Sequence, residues 1–344
     1  MSTRNYFWQL LFLIAASVLL PGGLLHAQDP AGGGTFVRDI MGGAALVFRR
    51  PDNPDVEIAG RVGGGKLSER RSARQAAVTQ EQLIARGNAA RNAATPRYSE
   101  AEEQYRLAAR RQPKDVRAYA GLGNVYLDQN RFVEAVVAYQ QAAKVRPDYL
   151  PVYMPLAYSL VRINRYTEAL EVYKQLLTLT PDDPELHNNV GFTYNQLEQY
   201  NDSIPECQQA IKLLSGTGQS YQMGLQNRNE VLGYSYKNLG NALNGLKRYE
   251  EAIVALKQAT TIDPNSAAAF FNLGLAHYSA GQNAEAVDAY KKVLKLKPGL
   301  PAVHFNLGLA YVALHNETAA LEEYETLKGL NANLANQLYS FIKQ

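Results

Sequence analysis

Residues 270–298 read FFNLGLAHYSAGQNAEAVDAYKKVLKLKP, and residues 304–324 read HFNLGLAYVALHNETAALEEY. Both segments contain Phe-Asn-Leu-Gly-Leu-Ala, and the two Leu-Gly pairs lie 34 residues apart. A segment that returns at a fixed spacing is the sequence signature of a repeat architecture. The repeat therefore decides the fold, and the rest of the chain is interpreted from it.

The same period extends towards the N-terminus. A proline closes each of five units, at Pro113, Pro147, Pro181, Pro264 and Pro298. The intervals are 34 residues, except for one of 83 residues that holds two units and about fifteen extra residues. A Leu-Gly pair or a close equivalent marks six units, at Leu122-Gly123, Leu156-Ala157, Val190-Gly191, Leu239-Gly240, Leu273-Gly274 and Leu307-Gly308.

Each unit contains two apolar runs at helical spacing. In residues 270–298 the first run includes Phe270 and Leu273, the second includes Val287 and Tyr290, and residues 279–283 form a polar turn between them. This pattern predicts a helix, a turn and a second helix. The closing proline ends the second helix because it disfavours helical backbone at the residue before it. A single hairpin cannot bury its apolar side, so neighbouring hairpins must stack.

The repeat resembles the tetratricopeptide repeat. Its signature is matched in order by Tyr119, Leu122, Gly123, Tyr126, Ala135, Tyr139 and Pro147. The resemblance covers residues 81–332 and implies an all-α solenoid of about seven helix-turn-helix repeats. Gly274 and Ala286 would let the two helices of a unit approach closely, with Phe270 and Tyr290 filling the flanks.

Three places depart from the pattern. The earliest copy has a longer spacing after Gly87, which predicts a longer first helix or turn. Pro205 falls inside an expected second helix, which predicts a late start, near Asn201 or Asp202, or a distorted one. Residues 215–232 form the insertion, whose end could extend the next helix backwards. An insertion of this kind is either a plain surface loop or part of a binding face.

The two ends of the chain have their own patterns. Residues 333–344 predict a capping helix, with Asn333 as its N-cap. Residues 1–27 predict a secretory signal peptide, with Arg4 before an apolar run of eleven residues and a cleavage site before Gln28. Residues 28–80 are rich in Gly and Arg and predict a flexible, mostly disordered segment.

The predicted signal places the protein in the periplasm or outer envelope of a bacterium. An uncleaved N-terminal anchor is the alternative, although eleven apolar residues are fewer than the roughly twenty that span a bilayer. The one cysteine, Cys207, excludes an intramolecular disulfide. It occupies the aromatic slot of Tyr139 and Tyr290, which predicts a packing role.

Charge and motifs argue against nucleic-acid and nucleotide binding. The first 80 residues contain nine basic and six acidic residues, which leaves 26 of each for the repeats. A neutral array lacks the basic stripe of a nucleic-acid clamp. Residues 60–67 have the spacing of a phosphate-binding loop, but Leu67 replaces the Ser or Thr that would bind magnesium.

No pattern predicts catalysis, a cofactor or a metal. His187, His277 and His304 fall in packing slots that carry Tyr or Phe in other copies. No His lies at metal-ligand spacing from another His or from Cys207. Adjacent carboxylates, such as Glu322 and Glu323, lie on polar faces without an apolar setting that would separate their pKa values. We therefore expect a protein that is not an enzyme.

A ladder of four asparagines is the strongest binding signal. The residue before the Leu-Gly pair faces the concave groove of tetratricopeptide proteins, and in this chain it is Asn189, Asn238, Asn272 and Asn306. The ladder resembles the one with which some superhelical members hold an extended peptide. An amide can donate to and accept from a peptide group whatever the peptide's side chains are. The alternative is that Asn is simply common at this site.

Neighbouring residues suggest the kind of peptide. Lys237, Asn241 and Asn272 resemble part of a carboxylate clamp, but the basic residues that should follow are replaced by Ala302 and Asn306. An apolar strip is expected beside the ladder, formed by Phe271, Leu275, Phe305 and Leu309. An apolar or aromatic peptide, or a partner helix, therefore fits better than an acidic tail.

These patterns predict a scaffold that binds a protein segment in its concave groove. The alternative is an accessory subunit that delivers substrate to an envelope enzyme or to a secretion or assembly complex. Self-association through exposed edges is a third possibility. The residues outside the array are too few to form a catalytic domain of their own.

Overall fold

The computed structural model describes residues 78–215 and 225–344. The predicted signal peptide, nearly all of the Gly/Arg-rich segment, the motif at residues 60–67 and residues 216–224 of the insertion lie outside the described residues. The chain divides into two compact units, whose described parts are residues 78–181 and residues 182–344. Each unit is a stack of helical hairpins.

The first unit contains three hairpins. Its helices are α1 (Gln80–Arg91), α2 (Tyr98–Arg111), α3 (Val116–Asp128), α4 (Phe132–Val145), α5 (Tyr153–Arg162) and α6 (Tyr166–Leu179). A short 3-10 turn, Leu150–Val152, precedes α5. The connection between α1 and α2 covers residues 92–97, whereas that between α3 and α4 covers only residues 129–131. The prediction of a longer first helix or turn in this copy is confirmed.

The second unit contains four hairpins and a final helix. Its helices are α7 (Pro184–Gln196), α8 (Tyr200–Ser215), α9 (Leu225–Gly245), α10 (Tyr249–Ile262), α11 (Ala267–Ser279), α12 (Asn283–Leu296), α13 (Pro301–Ala313), α14 (Glu317–Leu330) and α15 (Ala332–Ile342). The described residues thus hold fifteen α-helices and no strand, as the repeat predicted. The described end of the insertion forms the first turns of α9, which extends backwards to Leu225.

One tight turn closes most of the hairpins. Asn130, Asn164, Glu198, Lys247, Gly281 and His315 have a positive φ between the two helices. The residue after each then donates its backbone N–H to a carbonyl of the first helix, as Gln282 does to His277 at 2.8 Å. Gly281 adopts this left-handed backbone at the least steric cost because it has no Cβ.

A glycine in the first helix receives a ring from the second. A Cβ added at Gly274 would lie 2.5 Å from Cε1 of Tyr290, and one at Gly123 would lie 2.4 Å from Cε1 of Tyr139. Both tyrosines are fully buried. The glycine therefore provides the space into which the second helix inserts its largest side chain, which explains the Leu-Gly pair of the repeat.

Replacing Gly274 by alanine is expected to lower the free energy of unfolding by about 1–3 kcal/mol, because the added methyl group overpacks against Tyr290. Gly329 in α14 is the matched control, since a Cβ there meets no described atom within 4 Å. Gly329→Ala should instead raise stability by about 0.5 kcal/mol through its higher helix propensity. Urea denaturation of both variants tests the prediction, and equal effects would contradict it.

The hydroxyls of the inserted tyrosines are not equivalent. Tyr139 donates to Asn124 Oδ1 at 2.8 Å, and Tyr105 donates to Asn88 Oδ1 at 2.6 Å. The Tyr173 and Tyr290 hydroxyls are buried, and neither has a hydrogen-bond partner in the described part of the chain. Leu275 occupies the position in α11 that Asn124 occupies in α3, so Tyr290 lacks the acceptor that Tyr139 has.

Replacing Tyr290 by phenylalanine is expected to raise the free energy of unfolding by about 1 kcal/mol, because a buried unpaired hydroxyl is removed. Tyr139→Phe removes a hydroxyl that donates to Asn124, so it should lower stability by about 1 kcal/mol. Thermal and urea unfolding of the two variants should therefore give effects of opposite sign. A loss of stability in Tyr290→Phe would contradict this account of the two hydroxyls.

Two sequence predictions need correction. The second helix of the fourth hairpin does not start late: α8 begins at Tyr200, the Ser203 N–H donates to the Gln199 carbonyl, and Pro205 lies inside the helix. The capping helix begins at Ala332 rather than 333, and its N-cap is Asn331, whose side chain accepts from the Leu334 N–H at 3.1 Å.

Two further predictions agree with the structure. Cys207 is buried against Gly191, where an added Cβ would lie 2.6 Å from Sγ. Burial raises the pKa of the Cys207 thiol to about 12, which leaves the thiol protonated and unreactive at neutral pH. The capping helix buries Leu338 and Phe341 against Phe305, Leu309 and Leu327.

Candidate functional site

The first helices of neighbouring hairpins in the second unit touch one another. Helix α9 lies between α7 and α11, and α11 also contacts α13. Three of the four ladder asparagines, Asn189, Asn238 and Asn272, are buried at these contacts, whereas Asn306 is partly exposed. We call the side of α9, α11 and α13 that carries the ladder the first-helix face.

The ladder amides bond to the protein itself. The Asn272 side chain donates to Asn241 Oδ1 at 2.6 Å, which joins α11 to α9. The Asn238 side chain donates to Asn188 Oδ1 at 3.0 Å, which joins α9 to α7. Asn189 Oδ1 accepts from the Asn188 side chain at 3.2 Å. The amides of Asn238 and Asn272 therefore link neighbouring hairpins.

The residue on the preceding first helix decides how Asn272 and Asn306 bond. Asn241, three residues after Asn238, offers an acceptor to Asn272. Its equivalent in the next hairpin is Leu275, which offers none, and the Asn306 amide donates instead to its own helix at the Ala302 carbonyl, 2.9 Å away. The side-chain oxygen of Asn306 is thus the ladder group that remains open at a partly exposed position.

A second set of asparagines, Asn195 and Asn244, adds hydrogen bonds between the same helices. The Asn195 side chain donates to the Asn238 carbonyl at 2.8 Å, and the Asn244 side chain donates to the Asn272 carbonyl at 3.4 Å. The side-chain oxygens of Asn195 and Asn244 are buried and have no hydrogen-bond partner within the described ranges. The seam between α7, α9 and α11 therefore contains several buried amide groups.

Lys237 is a buried residue of α9, next to Asn238 in the sequence. Its side chain is 1% exposed, and its ammonium has no hydrogen-bond partner among the described residues. The ammonium lies 5.2 Å from the centre of the Tyr234 ring, within the range of a cation–π contact. Burial lowers the pKa of Lys237 to about 8, against a smaller opposing effect of the Asp263 carboxylate.

The prediction of an exposed apolar strip beside the ladder is wrong. Phe271, Phe305 and Leu309 are 2%, 3% and 4% exposed and belong to the core. Phe271 packs on Tyr290 with 6.0 Å between ring centres, while Phe305 and Leu309 pack under the capping helix. Leu275 is partly exposed and touches the core from one side. Of the ten predicted site residues, Asn241, Leu275 and Asn306 keep an accessible side chain.

Two histidine–glutamate pairs were missed by the sequence reasoning. Nδ1 of His187 lies 2.6 Å from Oε2 of Glu206, and Nδ1 of His304 lies 2.6 Å from Oε2 of Glu323. Each pair joins the two helices of one hairpin, and the partners are nineteen positions apart in the sequence. The signal was present in the sequence, because the hairpins with an aromatic residue at the histidine position carry Ala or Val in place of the glutamate.

Within residues 78–215 and 225–344, no group of three or more His, Cys, Asp or Glu side chains is placed to hold a metal ion. Within the same residues, no helix combines the length and the apolar character that crossing a bilayer requires. What the first-helix face of the second unit does present is a partly exposed row of Asn241, Leu275 and Asn306.

Comparison with known proteins agrees with this architecture. A TPR repeat model matches residues 157–197, 240–281 and 276–314, and a tetratricopeptide repeat model matches residues 116–149. This chain therefore contains tetratricopeptide repeats in both units. No curated protein matches the chain.

Several solved structures are similar in fold. The crystal structure of a tetratricopeptide repeat protein from Parabacteroides merdae ATCC 43184 is 17% identical, with a TM-score of 0.56, and the match covers 77% of this chain and 99% of that one. The structure of the APC/C hetero-tetramer Cut9-Hcn1 is 17% identical, with a TM-score of 0.54, and the match covers 77% of this chain and 49% of that one.

A third similar structure is that of YrrB, described as a TPR protein with an unusual peptide-binding site. It is 22% identical, with a TM-score of 0.45, and the match covers 60% of this chain and 100% of that one. At 17% identity the likeness to the first two structures concerns the fold alone, and any binding surface of this chain depends on its own residues.

Proposed function

We propose that this protein is a non-catalytic scaffold that binds an extended peptide or a partner helix on its first-helix face. The observation that carries the proposal is the partly exposed row of Asn241, Leu275 and Asn306, which runs across three successive hairpins. Stacked hairpins repeat the same surface at a constant spacing, which suits a partner that is itself extended.

The row offers two kinds of contact. Asn306 has a side-chain oxygen that is not used within the ladder, and it can accept from a peptide N–H. Leu275 offers a half-buried apolar side chain on a rigid helix, which can anchor an apolar residue of the partner. Buried Asn272 fixes Asn241 in place through the 2.6 Å hydrogen bond, so the row is preorganised.

The proposed cellular setting is the bacterial envelope, after export by the signal at residues 1–27. The support for this setting is the sequence pattern alone. Cleavage of the signal would release the scaffold into the periplasm, whereas retention would anchor it to the membrane. N-terminal sequencing of the mature protein separates the two outcomes, and a start at Gln28 is expected.

A peptide-display selection on the full chain tests the binding proposal. Peptides of about twelve residues would be selected against the wild type, and their affinities then measured for the double variant Asn306→Ala/Leu275→Ala. We expect at least a tenfold loss of affinity, because an accepted hydrogen bond and an apolar anchor are both removed. Circular dichroism should show the same helix content as in the wild type.

The matched control is Asn201→Ala/Val254→Ala. These two residues are exposed on the second helices α8 and α10, so one amide and one aliphatic side chain are again truncated, but away from the first-helix face. The control should bind the selected peptides like the wild type. If the Asn306→Ala/Leu275→Ala variant also binds them unchanged, the peptide site does not lie on the first-helix face.

A further inference from the structure

A second feature of this unit is a groove between the second helices α10 and α12. Its volume is about 510 Å³, and its floor is formed by Phe270 and Leu273 of α11 together with Ala289 of α12. Phe270 is only partly buried, because α10 and α12 leave a gap above it. The groove is separate from the first-helix face, since its lining includes no ladder asparagine and none of Asn241, Leu275 and Asn306.

Four lysines line the groove, and Lys291 is the one that a ring of the protein engages. Lys257 comes from α10, and Lys292 and Lys295 come from α12. All three are exposed, and none forms an ion pair with a carboxylate of residues 78–215 or 225–344. Lys291, also on α12, lies instead with its ammonium 5.7 Å from the centre of the Tyr311 ring.

The lysines stand out against the charge of their unit. Residues 182–344 contain sixteen acidic and twelve basic residues, so this unit is acidic overall. Residues 285, 288, 292 and 295 follow one another at spacings of three and four and therefore share one side of α12. That side is acidic at Glu285 and Asp288 and basic at Lys292 and Lys295.

We infer that the groove between α10 and α12 is a second interaction surface, which binds an acidic segment of a protein partner that also carries an apolar side chain. Aspartate and glutamate side chains of the segment pair with Lys257, Lys292 and Lys295. The apolar side chain covers Phe270 on the floor of the groove.

The groove favours a protein segment over a nucleic acid. Glu285 and Asp288 lie on the same side of α12 as the lysines, and they repel a backbone that carries a negative charge at every phosphate. A polypeptide can place its carboxylates opposite the lysines only. The apolar floor cannot form a hydrogen bond or an ion pair with a phosphate, but it can bury an aliphatic or aromatic side chain.

Fluorescence anisotropy on the full chain tests this inference with a labelled twelve-residue peptide of alternating Glu-Glu and Leu. The same peptide with Gln in place of Glu is the ligand control. The triple variant Lys257→Gln/Lys292→Gln/Lys295→Gln should weaken binding of the acidic peptide at least tenfold, because three charge pairs are lost. Raising the salt from about 50 to about 300 mM should weaken the binding to the wild type.

A matched control variant loses the same number of positive charges as the triple lysine variant. Arg110→Gln/Lys114→Gln/Lys144→Gln removes three exposed positive charges from the first unit, and it should leave the affinity within twofold of the wild type. Phe270→Ala leaves all three lysines intact and should weaken binding severalfold. That loss would measure the contact between Phe270 and the apolar side chain of the peptide.

Three results would overturn the inference. Equal losses in the two triple variants would show that any exposed positive charge attracts the peptide, without a specific site. Equal affinity for the Glu and Gln peptides would show that the lysines are not the contact. A single-stranded oligonucleotide of the same charge that binds more tightly than the acidic peptide would assign the groove to nucleic acid. Each outcome is independent of the Asn306→Ala/Leu275→Ala test of the first-helix face.

Discussion

Replacing Lys237 by methionine is expected to raise the free energy of unfolding at pH 7 by about 3 kcal/mol. The lysine is buried and its ammonium has no hydrogen-bond partner among the described residues. Its pKa falls from 10.5 to about 8 on folding, and a tenfold change in the acid dissociation constant corresponds to about 1.4 kcal/mol. Methionine has a similar length and volume and carries no charge, so it should fill the site without this cost.

The dependence on pH identifies the cause. Between pH 8 and 10.5 the unfolded chain holds a proton on Lys237 that the folded chain has released, so this lysine destabilises the wild type less as the pH rises. Below pH 8 both states are protonated and the cost is present in full. Above pH 10.5 both are neutral, and the advantage of Lys237→Met should disappear.

Urea denaturation at pH 7, 9 and 10.5 measures this difference. Other lysines and tyrosines titrate in the same range, so the quantity to compare is the difference between wild type and variant at each pH. Lys292→Met is the control, because Lys292 is exposed and its replacement should change stability by less than about 0.5 kcal/mol. A stability difference for Lys237→Met that stays constant with pH would show that charge is not the cause.

The helices were predictable because the repeat states the same local rule many times. The apolar spacing around Leu273 and Tyr290 and the proline at 298 set two helices and their end, and each further copy supports the same interpretation. Two details were lost because each depends on a local hydrogen bond. Asn331 and Asn333 are both suitable caps, and the Leu334 N–H decides between them by bonding to Asn331. Pro205 does not delay α8, because the Ser203 N–H bonds to the Gln199 carbonyl and starts the helix at Tyr200, so the proline lies inside it.

The candidate site was less predictable because the burial of a first-helix residue depends on the neighbouring hairpin. The pattern places Asn272 and Asn306 at one position of the repeat, yet Asn272 is buried and Asn306 is partly exposed. Their hydrogen bonds differ because Asn241 can accept from Asn272, whereas Leu275 offers no acceptor to Asn306. A period of 34 residues identifies equivalent positions, but it does not determine which side chain of the next helix each position contacts.

Lys237→Met removes a buried lysine, and Phe271→Lys would introduce one at the equivalent position. Phe271→Lys is expected to lower the free energy of unfolding by about 3–5 kcal/mol. Phe271 holds the position in α11 that Lys237 holds in α9, and it is 2% exposed. It belongs to an apolar cluster that includes Val287, Tyr290 and Val303. An ammonium in that cluster would lose the packing of the ring and have no charged partner to offset its loss of water.

Phe270→Lys is the matched control for this exchange, because Phe270 is the adjacent aromatic residue but opens onto the groove between α10 and α12. A lysine there can extend its ammonium into water while its aliphatic part covers the floor, so the loss should be clearly smaller. Urea denaturation measures both variants, with hydrogen exchange of α11 to localise the effect. If Phe271→Lys costs no more than Phe270→Lys, the interior around α11 tolerates charge.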